Sequence, residues 1–188
     1  TLFNRQINVY GKEGQEKLKN STVLIIGCGG LGSTCSTVLS RSGVGRLILV
    51  DVDEVSISNI HRQILYTQND LQKSKSETAA KSPLLCLSEN IAIKQFIDED
   101  AAYQLIQKYK PVTVMDCTDN FQVRYEVNKA CVRAGVPMVH GSVTGDEGQV
   151  SVFCYKDYDI DCPCYACVHP TKPAQLPTPP PVIPGICT

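Results

Sequence analysis

The chain has 188 residues, of which 43% are hydrophobic and 20% are charged, and its formal net charge is −1. This length and composition predict one compact domain and exclude a disordered chain. The balanced charge argues against a nucleic-acid or anionic-membrane partner, and the apolar runs are too short to cross a bilayer. We expect no secretory signal, because no basic segment followed by an apolar one is found at the start.

The predicted elements alternate between strands and helices, after an amphipathic segment at Glu13–Leu18. Short β-branched apolar runs bounded by turns predict six strands: Thr22–Gly27, Arg46–Asp51, Ile91–Phe96, Val112–Cys117, Met138–Val143 and Gln149–Tyr155. Helical patterns predict four helices between them: Leu31–Ser42, Lys75–Leu87, Glu99–Lys108 and Phe121–Ala134. This order predicts an α/β, Rossmann-like fold with a mainly parallel central sheet and helices on both faces.

Capping residues mark the ends of two of these helices. Asp98 or Asp100 is suited to begin the third helix, and Asn120 is suited to begin the fourth. Gly135 follows the fourth helix, where a left-handed residue commonly ends a helix.

Residues 156–188 have a different composition from the rest of the chain. Lys156–Asp161 is polar, cysteines follow, and Pro170–Pro184 contains seven prolines. Such a run continues neither a helix nor a sheet, so we expect an extended loop or crossover segment. We treat residues 1–188 as a single domain that is a fragment or lacks residues at its C-terminal end.

Nine of the ten cysteines are divided between two environments. Six of them lie singly in apolar segments, where a reduced cysteine behaves as a small hydrophobic residue: Cys28, Cys35, Cys86, Cys117, Cys131 and Cys154. Cys162, Cys164 and Cys167 fall within six residues, which favours metal binding in a reducing compartment. We therefore expect a cytoplasmic protein.

A glycine-rich turn follows the first predicted strand and begins the first long helix. Its sequence, Gly27–Gly32, permits a tight turn and close approach of a phosphate to the N–H groups of the helix N-terminus. Asp51 ends the next strand, where a carboxylate is placed to bind a ribose hydroxyl. The motif predicts a nucleotide site and does not distinguish NAD from ATP.

Charged residues beyond this motif favour a triphosphate, whose reaction requires cations and a metal to stabilise the leaving pyrophosphate. The candidate segments are Asn59–Gln63, Lys75, Asp119–Asn120 and, far upstream, Arg5. Taken singly, Arg62 and Lys75 are equally typical of solvated helix charges, and Asp119 is typical of a helix cap. Asp116 lies beside Asp119 and competes with it for a metal role.

Taken in order, these motifs resemble the ubiquitin-activating-enzyme superfamily, of ThiF-like type. The motifs that carry the resemblance are Asn4–Ile7, Gly27–Gly32, Asp51 with Asp53, Ser58–Gln63, Lys73–Lys75, Asp116–Asn120 and Cys164 with Cys167. The resemblance covers Leu2 to Val168 and is strongest to the branch of molybdopterin-synthase and sulfur-carrier-protein adenylyltransferases.

The resemblance implies an ATP site and two metals. The implied nucleotide-binding residues are Gly27, Gly29, Gly30, Gly32, Asp51, Asp53, Asn59, Arg62, Gln63, Lys75, Asp119 and Asn120. Arg62 and Lys75 would contact phosphates, Asp119 would hold Mg²⁺, and Arg5 would reach the ATP site of the partner subunit in a homodimer. Cys164 and Cys167 would form half of a structural zinc site.

The cysteine segment leaves several alternatives open. A tetrahedral zinc site needs four ligands, and the family's second cysteine pair lies further along than this sequence extends. Cys162 and His169 are alternative third and fourth ligands, and a redox dithiol is a further alternative. Some family members form a thioester through a cysteine after this segment; Cys187 is the first cysteine after Cys167.

The predicted activity is ATP-dependent adenylation of the C-terminal glycine carboxylate of a ubiquitin-like sulfur-carrier or modifier protein, with release of pyrophosphate. One alternative is an NAD-dependent oxidoreductase, which leaves Arg5, Arg62, Lys75 and Asp119 unexplained. Another is the noncatalytic subunit of a heterodimeric activating enzyme, against which the same intact site residues argue.

Overall fold

The structure, a computed structural model, describes residues 2–153 and 162–171. Within them the strands are β1 (Thr22–Ile26), β2 (Arg46–Val50), β3 (Glu89–Ile93), β4 (Thr113–Asp116), β5 (Met138–Thr144) and β6 (Glu147–Phe153). The α-helices are α1 (Asn4–Lys19), α2 (Gly30–Arg41), α3 (Lys75–Ala80), α4 (Glu99–Tyr109), α5 (Phe121–Ala134) and α6 (Tyr165–Val168).

The described strands form one sheet in the order β3-β2-β1-β4-β5-β6. The first five strands are parallel, and β6 runs antiparallel to β5 in a hairpin. The chain moves outward from β1 to β3 and then crosses to the other side of β1 with β4. The carboxyl ends of β1 and β4 therefore border a crevice, which is where open α/β sheets bind ligands. The predicted fold class is confirmed.

Two apolar cores pack on opposite faces of the sheet, because alternate residues of a strand point to opposite sides. On one face Leu24 belongs to a cluster with Leu105 of α4 and Val127 of α5. On the other face Ile25 belongs to a cluster with Ala79 of α3. Each fully buried aliphatic side chain contributes about 1.5–3 kcal/mol of transfer free energy, so the strands that carry the site are firmly anchored.

Two predicted helical segments differ from the observed helices. The segment predicted as Glu13–Leu18 is the second half of α1, which begins at Asn4 and is kinked where Gly11 has φ 73°. The helix predicted over Lys75–Leu87 ends at Ala80. Ser82 then caps a separate 3-10 helix over Pro83–Leu85, because proline begins a helix readily but disrupts its interior.

Most other predicted boundaries agree with the structure within one or two residues. β3 is the exception, since it begins and ends two to three residues earlier than the predicted Ile91–Phe96. The reason is that Glu89 pairs in register with Arg46 of β2, and their side chains form an ion pair at 2.8 Å. Asp98 and Asn120 cap α4 and α5, and Gly135 ends α5 with φ 62°, as predicted. The predicted end of the last strand at Tyr155, Lys156–Asp161 and residues 172–188 lie outside the described residues.

Candidate active site

A cavity of about 710 Å³ occupies the crevice at the carboxyl ends of β1, β2 and β4. Eleven of the predicted site residues line it: Gly27, Gly29, Gly30, Asp51, Asp53, Asn59, Arg62, Gln63, Lys75, Asp119 and Asn120. The sequence motifs, which are spread over about a hundred residues, therefore converge on one site.

The glycine-rich turn shapes one wall of this cavity. Gly27 has φ 92°, and a Cβ at this position would lie 2.7 Å from the carbonyl oxygen of Cys117. A Cβ on Gly32 would overlap the carbonyl of Gly27, so Gly32 supports the turn from behind instead of lining the cavity. Gly29 precedes α2 and no side chain caps this helix, so its first N–H groups remain suited to bind an anion.

Asp51 is held by the backbone at the cavity wall. Its Oδ2 accepts a 2.7 Å hydrogen bond from the N–H of Cys28, and its Oδ1 accepts a 2.8 Å bond from the N–H of Asp53. Burial raises the pKa of the Asp51 carboxyl, and these two hydrogen bonds oppose that rise. The carboxylate is thus fixed in direction while remaining at the cavity surface, as an acceptor for hydroxyl groups must be.

The predicted phosphate-binding cations have different partners. The Lys75 side chain is 7% exposed, and its Nζ lies 3.0 Å from Oδ2 of the exposed Asp53. Arg62 donates to Oδ1 of Asn59 at 2.9 Å and to the carbonyl of Ser58 at 3.4 Å. Since neither of these two acceptors carries a formal charge, the guanidinium charge of Arg62 is not neutralised by a carboxylate among the described residues.

The two aspartates after β4 have distinct environments. Asp116 is fully buried and accepts hydrogen bonds from Arg124, His140 and Thr118, so it is not placed to bind a metal in the cavity. Asp119 is exposed and lines the cavity, and among the described residues its carboxylate has no ion-pair partner. The capping role falls to Asn120, whose Oδ1 accepts the N–H groups of Gln122 and Val123. Of the two, Asp119 is the candidate metal ligand.

Sequence reasoning missed three side chains that shape this site. Tyr66 is buried, and its hydroxyl donates to the carbonyl of Cys28 at 2.7 Å, which ties the glycine-rich turn to the neighbouring segment. Arg124 and Tyr165 are buried and line the cavity. For Arg124 the sequence contained one usable signal, its position one turn into the helix that follows Asp119. No such signal marked Tyr66 or Tyr165.

Cys164 and Cys167 lie together at the start of α6, with their Sγ atoms 3.5 Å apart. Burial raises the pKa of the Cys164 thiol, but hydrogen bonds from Asn128 and from the backbone of Cys167 and Ala166 outweigh it, so the pKa is lowered overall. Asn128 also accepts the N–H of Tyr165 at 2.9 Å, which fixes the first turn of α6.

The alternative in which Cys162 and His169 complete the metal site is wrong. Within residues 2–153 and 162–171, no three potential metal ligands are grouped closely enough to hold an ion. The ring of His169 instead packs against Tyr165, with ring centroids 4.6 Å apart. Among the described residues, the cysteine pair therefore supplies at most two of the four ligands of a tetrahedral site.

Arg5 lies away from the main cavity. It belongs to α1, the helix that precedes β1. It lines a second, smaller cavity with Leu2, Phe3, Asn4, Gln6, Arg41 and Leu87. A role for Arg5 in the ATP site of its own chain therefore has no support from this geometry.

None of the helices in the described part of the chain has the length and apolar character needed to span a membrane.

Comparison with known proteins gives consistent matches. The ThiF family model matches residues 3–186. The chain is 42% identical to the molybdopterin-synthase adenylyltransferase of Escherichia coli, over 88% of this chain and 66% of the relative. It is also 42% identical to the adenylyltransferase and sulfurtransferase MOCS3 of Xenopus laevis, over 91% of this chain and 38% of the relative.

Solved structures agree with these sequence matches. The crystal structure of E. coli MccB with ATP superposes with a TM-score of 0.74 at 29% identity, covering 90% of this chain and 52% of that chain. The chain spans from about two fifths to two thirds of the length of its curated relatives.

Proposed function

The chain belongs to the ThiF family, and from this premise we propose that it adenylates the C-terminal glycine carboxylate of a ubiquitin-like sulfur-carrier or modifier protein, using ATP. The names of its relatives support an adenylyltransferase, and the MccB structure was solved with ATP. The observation that carries the proposal is the single cavity in which the glycine-rich turn, Asp51, Arg62, Lys75 and Asp119 meet.

The proposed reaction requires little chemistry from side chains. A carboxylate oxygen of the carrier attacks the α-phosphorus of ATP, the bond from that phosphorus to the bridging oxygen breaks, and pyrophosphate leaves with the electron pair. A carboxylate is already ionised at neutral pH, so no general base is needed. The protein contributes positioning by the glycine-rich turn and Asp51, and positive charge from Arg62, Lys75 and the N-terminus of α2.

Two metals accompany this proposal. Asp119 fits a Mg²⁺ site, because its carboxylate is exposed in the cavity without an ion-pair partner among the described residues. When bound, the ion would neutralise phosphate charge. Cys164 and Cys167 fit half of a structural zinc site, since their sulfur atoms are already close and hydrogen-bonded.

We also propose a homodimer with shared ATP sites and a cytoplasmic location. Arg5 lines a cavity of its own chain that is different from the main cavity, which supports the shared site. The eight cysteines within the described residues are all free thiols, which supports a reducing compartment.

The test is carrier-dependent ATP–pyrophosphate exchange by the full-length protein. We expect exchange with a ubiquitin-like sulfur carrier that has its C-terminal glycine, and none with the same carrier after removal of that glycine. Binding of ATP with Mg²⁺ and of NAD is measured in parallel. Binding of NAD without ATP-dependent exchange would favour the oxidoreductase, whereas no exchange and no nucleotide binding would favour the noncatalytic subunit.

A further inference from the structure

A buried charged cluster borders the cavity, at the end of β4, within β5 and on α5. Asp116 and His140 are register partners on adjacent parallel strands, and Nδ1 of His140 lies 2.8 Å from Oδ2 of Asp116. Nε of Arg124 donates to the same oxygen at 3.0 Å, and the two side chains of this ion pair are 4% and 0% exposed. The proposed function assigns no role to these three residues.

The cluster is directed at one backbone segment. Nη2 of Arg124 donates to the carbonyl of Thr118 at 2.8 Å. Oδ1 of Asp116 accepts the N–H of Thr118 at 3.1 Å and its hydroxyl at 2.6 Å. Thr118 is therefore held by both backbone groups and by its side chain, and the next residue along the chain is Asp119.

Stability alone is a poor explanation for this arrangement. Removing two charges from water costs about as much as their attraction returns, and apolar residues of similar volume often serve a core equally well. What a bidentate guanidinium supplies is direction, because its planar fork fixes two acceptors relative to each other. Here the two acceptors are the Asp116 carboxylate and the carbonyl that precedes Asp119. The rings of Phe121 and Tyr165 lie 5.0 Å and 5.7 Å from the guanidinium and further restrict it.

We infer that Arg124 is a positioning residue: it bridges Asp116 and Thr118 so that the Thr118–Asn120 turn presents the Asp119 carboxylate to the cavity. The inference rests on the proposed function, because it takes Asp119 as the ligand of the nucleotide's Mg²⁺. It adds a residue whose guanidinium is bound by Asp116 and Thr118 and which acts on the metal through Asp119.

The test measures ATP binding to the full chain by calorimetry, once with Mg²⁺ and once with EDTA. The ratio of the two dissociation constants reports how much the ion strengthens binding. Loss of a residue that orients a metal ligand commonly costs about 10- to 100-fold in metal affinity, so we expect Arg124→Met to reduce this ratio by at least about tenfold. Affinity in EDTA should change little.

A double-variant comparison separates positioning from a general structural effect. If Arg124 acts through Asp119, then Arg124→Met combined with Asp119→Ala should be no worse than Asp119→Ala alone. Arg133→Met is the matched control, since Arg133 also lies on α5 but pairs with Asp100 at the surface. This control should keep the wild-type ratio.

Arg124→Lys keeps the inference testable if Arg124→Met leaves Asp116 unpaired and unfolds the protein. The ammonium still neutralises Asp116 but cannot reproduce the fork, so we expect an intermediate ratio with a nearly unchanged melting temperature. A wild-type ratio in folded Arg124 variants, or losses that add in the double variant, would overturn the inference while leaving the proposed function intact. A wild-type protein whose ATP binding does not respond to Mg²⁺ would overturn the inference together with the Mg²⁺ role of Asp119, whereas absence of carrier-dependent exchange would overturn the proposed function.

Discussion

At the scale of single residues, the partly buried carboxylate of Asp51 destabilises the folded protein at neutral pH but is placed to bind the ligand. Burial raises the pKa of its carboxyl, so the ionised form is disfavoured in the folded protein relative to the unfolded chain. The contribution of the Asp51 carboxyl to the free energy of unfolding is therefore most favourable below the pKa of the unfolded chain, about 3.9. It is lost as the pH rises through the higher pKa of the folded protein. At neutral pH the native carboxylate opposes folding.

We predict that the difference in melting temperature between Asp51→Asn and wild type depends on pH. At every pH the asparagine leaves one of the two N–H donors, Cys28 or Asp53, without an acceptor. Wild type should gain stability over the variant as the pH falls through the acidic range, because the wild-type carboxyl then takes up its proton. ATP affinity should fall at least tenfold, since a hydrogen bond to a charged group is worth about 1.5–3 kcal/mol. Melting curves against pH and calorimetric titration with ATP test this; a variant that is less stable at pH 7 than in acid, relative to wild type, contradicts it.

A second residue-scale prediction concerns Asp119. Its side chain is exposed and has no ion-pair partner among the described residues, so Asp119→Ala should leave the melting temperature nearly unchanged. Carrier-dependent ATP–pyrophosphate exchange should fall by at least about 100-fold, as when a group that stabilises transition-state charge is removed. Asp146→Ala, in the exposed turn between β5 and β6, is the control. Exchange at the wild-type rate in Asp119→Ala would refute the assignment.

Site residues that belong to short ordered motifs could be predicted from the sequence. Residues whose role depends on a hydrogen-bond partner from another helix or strand could not. Asp116 and Asp119 are three positions apart and were not distinguishable by spacing. Only the packing of β5 and α5 against β4 shows that Asp116 faces His140 and Arg124. Arg124 itself falls in an amphipathic helical pattern, in which an arginine is ordinarily a solvated charge.

At the scale of elements, the cysteine turn that begins α6 supplies two of the four ligands that a structural zinc site needs. Two thiols and the Asn128 amide converge there, so we predict that the full-length protein carries about one zinc per chain, bound by four ligands. Metal analysis of freshly prepared, reduced protein is the measurement. Cys164→Ser should lose the metal, whereas Cys86→Ser, at an exposed and distant cysteine, should retain it. Wild-type protein without zinc would exclude the structural-metal interpretation.

Element boundaries were predictable wherever a local signal ends the element. Asn120 and Gly135 mark both ends of α5 and were found where predicted. The long helix predicted after Lys75 was wrong because its apolar spacing continues through Pro83, while Ser82 begins a new 3-10 helix there. β3 was misplaced because its register is set by pairing with β2, which local periodicity does not record.

At the scale of the whole molecule, the sheet order explains why distant motifs form one site. β1, β2 and β4 are neighbours in the sheet although β4 begins more than sixty residues after β2 ends. Parallel strands bring their carboxyl ends to the same edge, so the segments after β1, β2 and β4 share one crevice. The alternation of strands and helices in the sequence predicted a ligand site at this edge of the sheet. The same alternation does not determine how two subunits contact each other.

The last prediction is that an ATP site is completed by Arg5 from the partner subunit. Arg5 lines a different cavity from Asp119 in its own chain, so a single chain offers no shared site for the two. An arginine fork binds phosphate oxygens bidentately and keeps its charge, which suits a contact made across an interface. Arg5→Ala and Asp119→Ala should each be nearly inactive in pyrophosphate exchange when assayed alone.

Mixing the two variants should restore part of the activity if the arginine crosses. In a mixed dimer one site then carries both lesions and the other carries neither. Random exchange makes half of the dimers mixed, so recovery should approach about a quarter of the wild-type rate. If Arg5 acts within its own chain, every site keeps one lesion and mixing restores nothing. Each variant taken through the same exchange procedure by itself is the control, and absence of recovery despite demonstrated subunit exchange rules out the shared site.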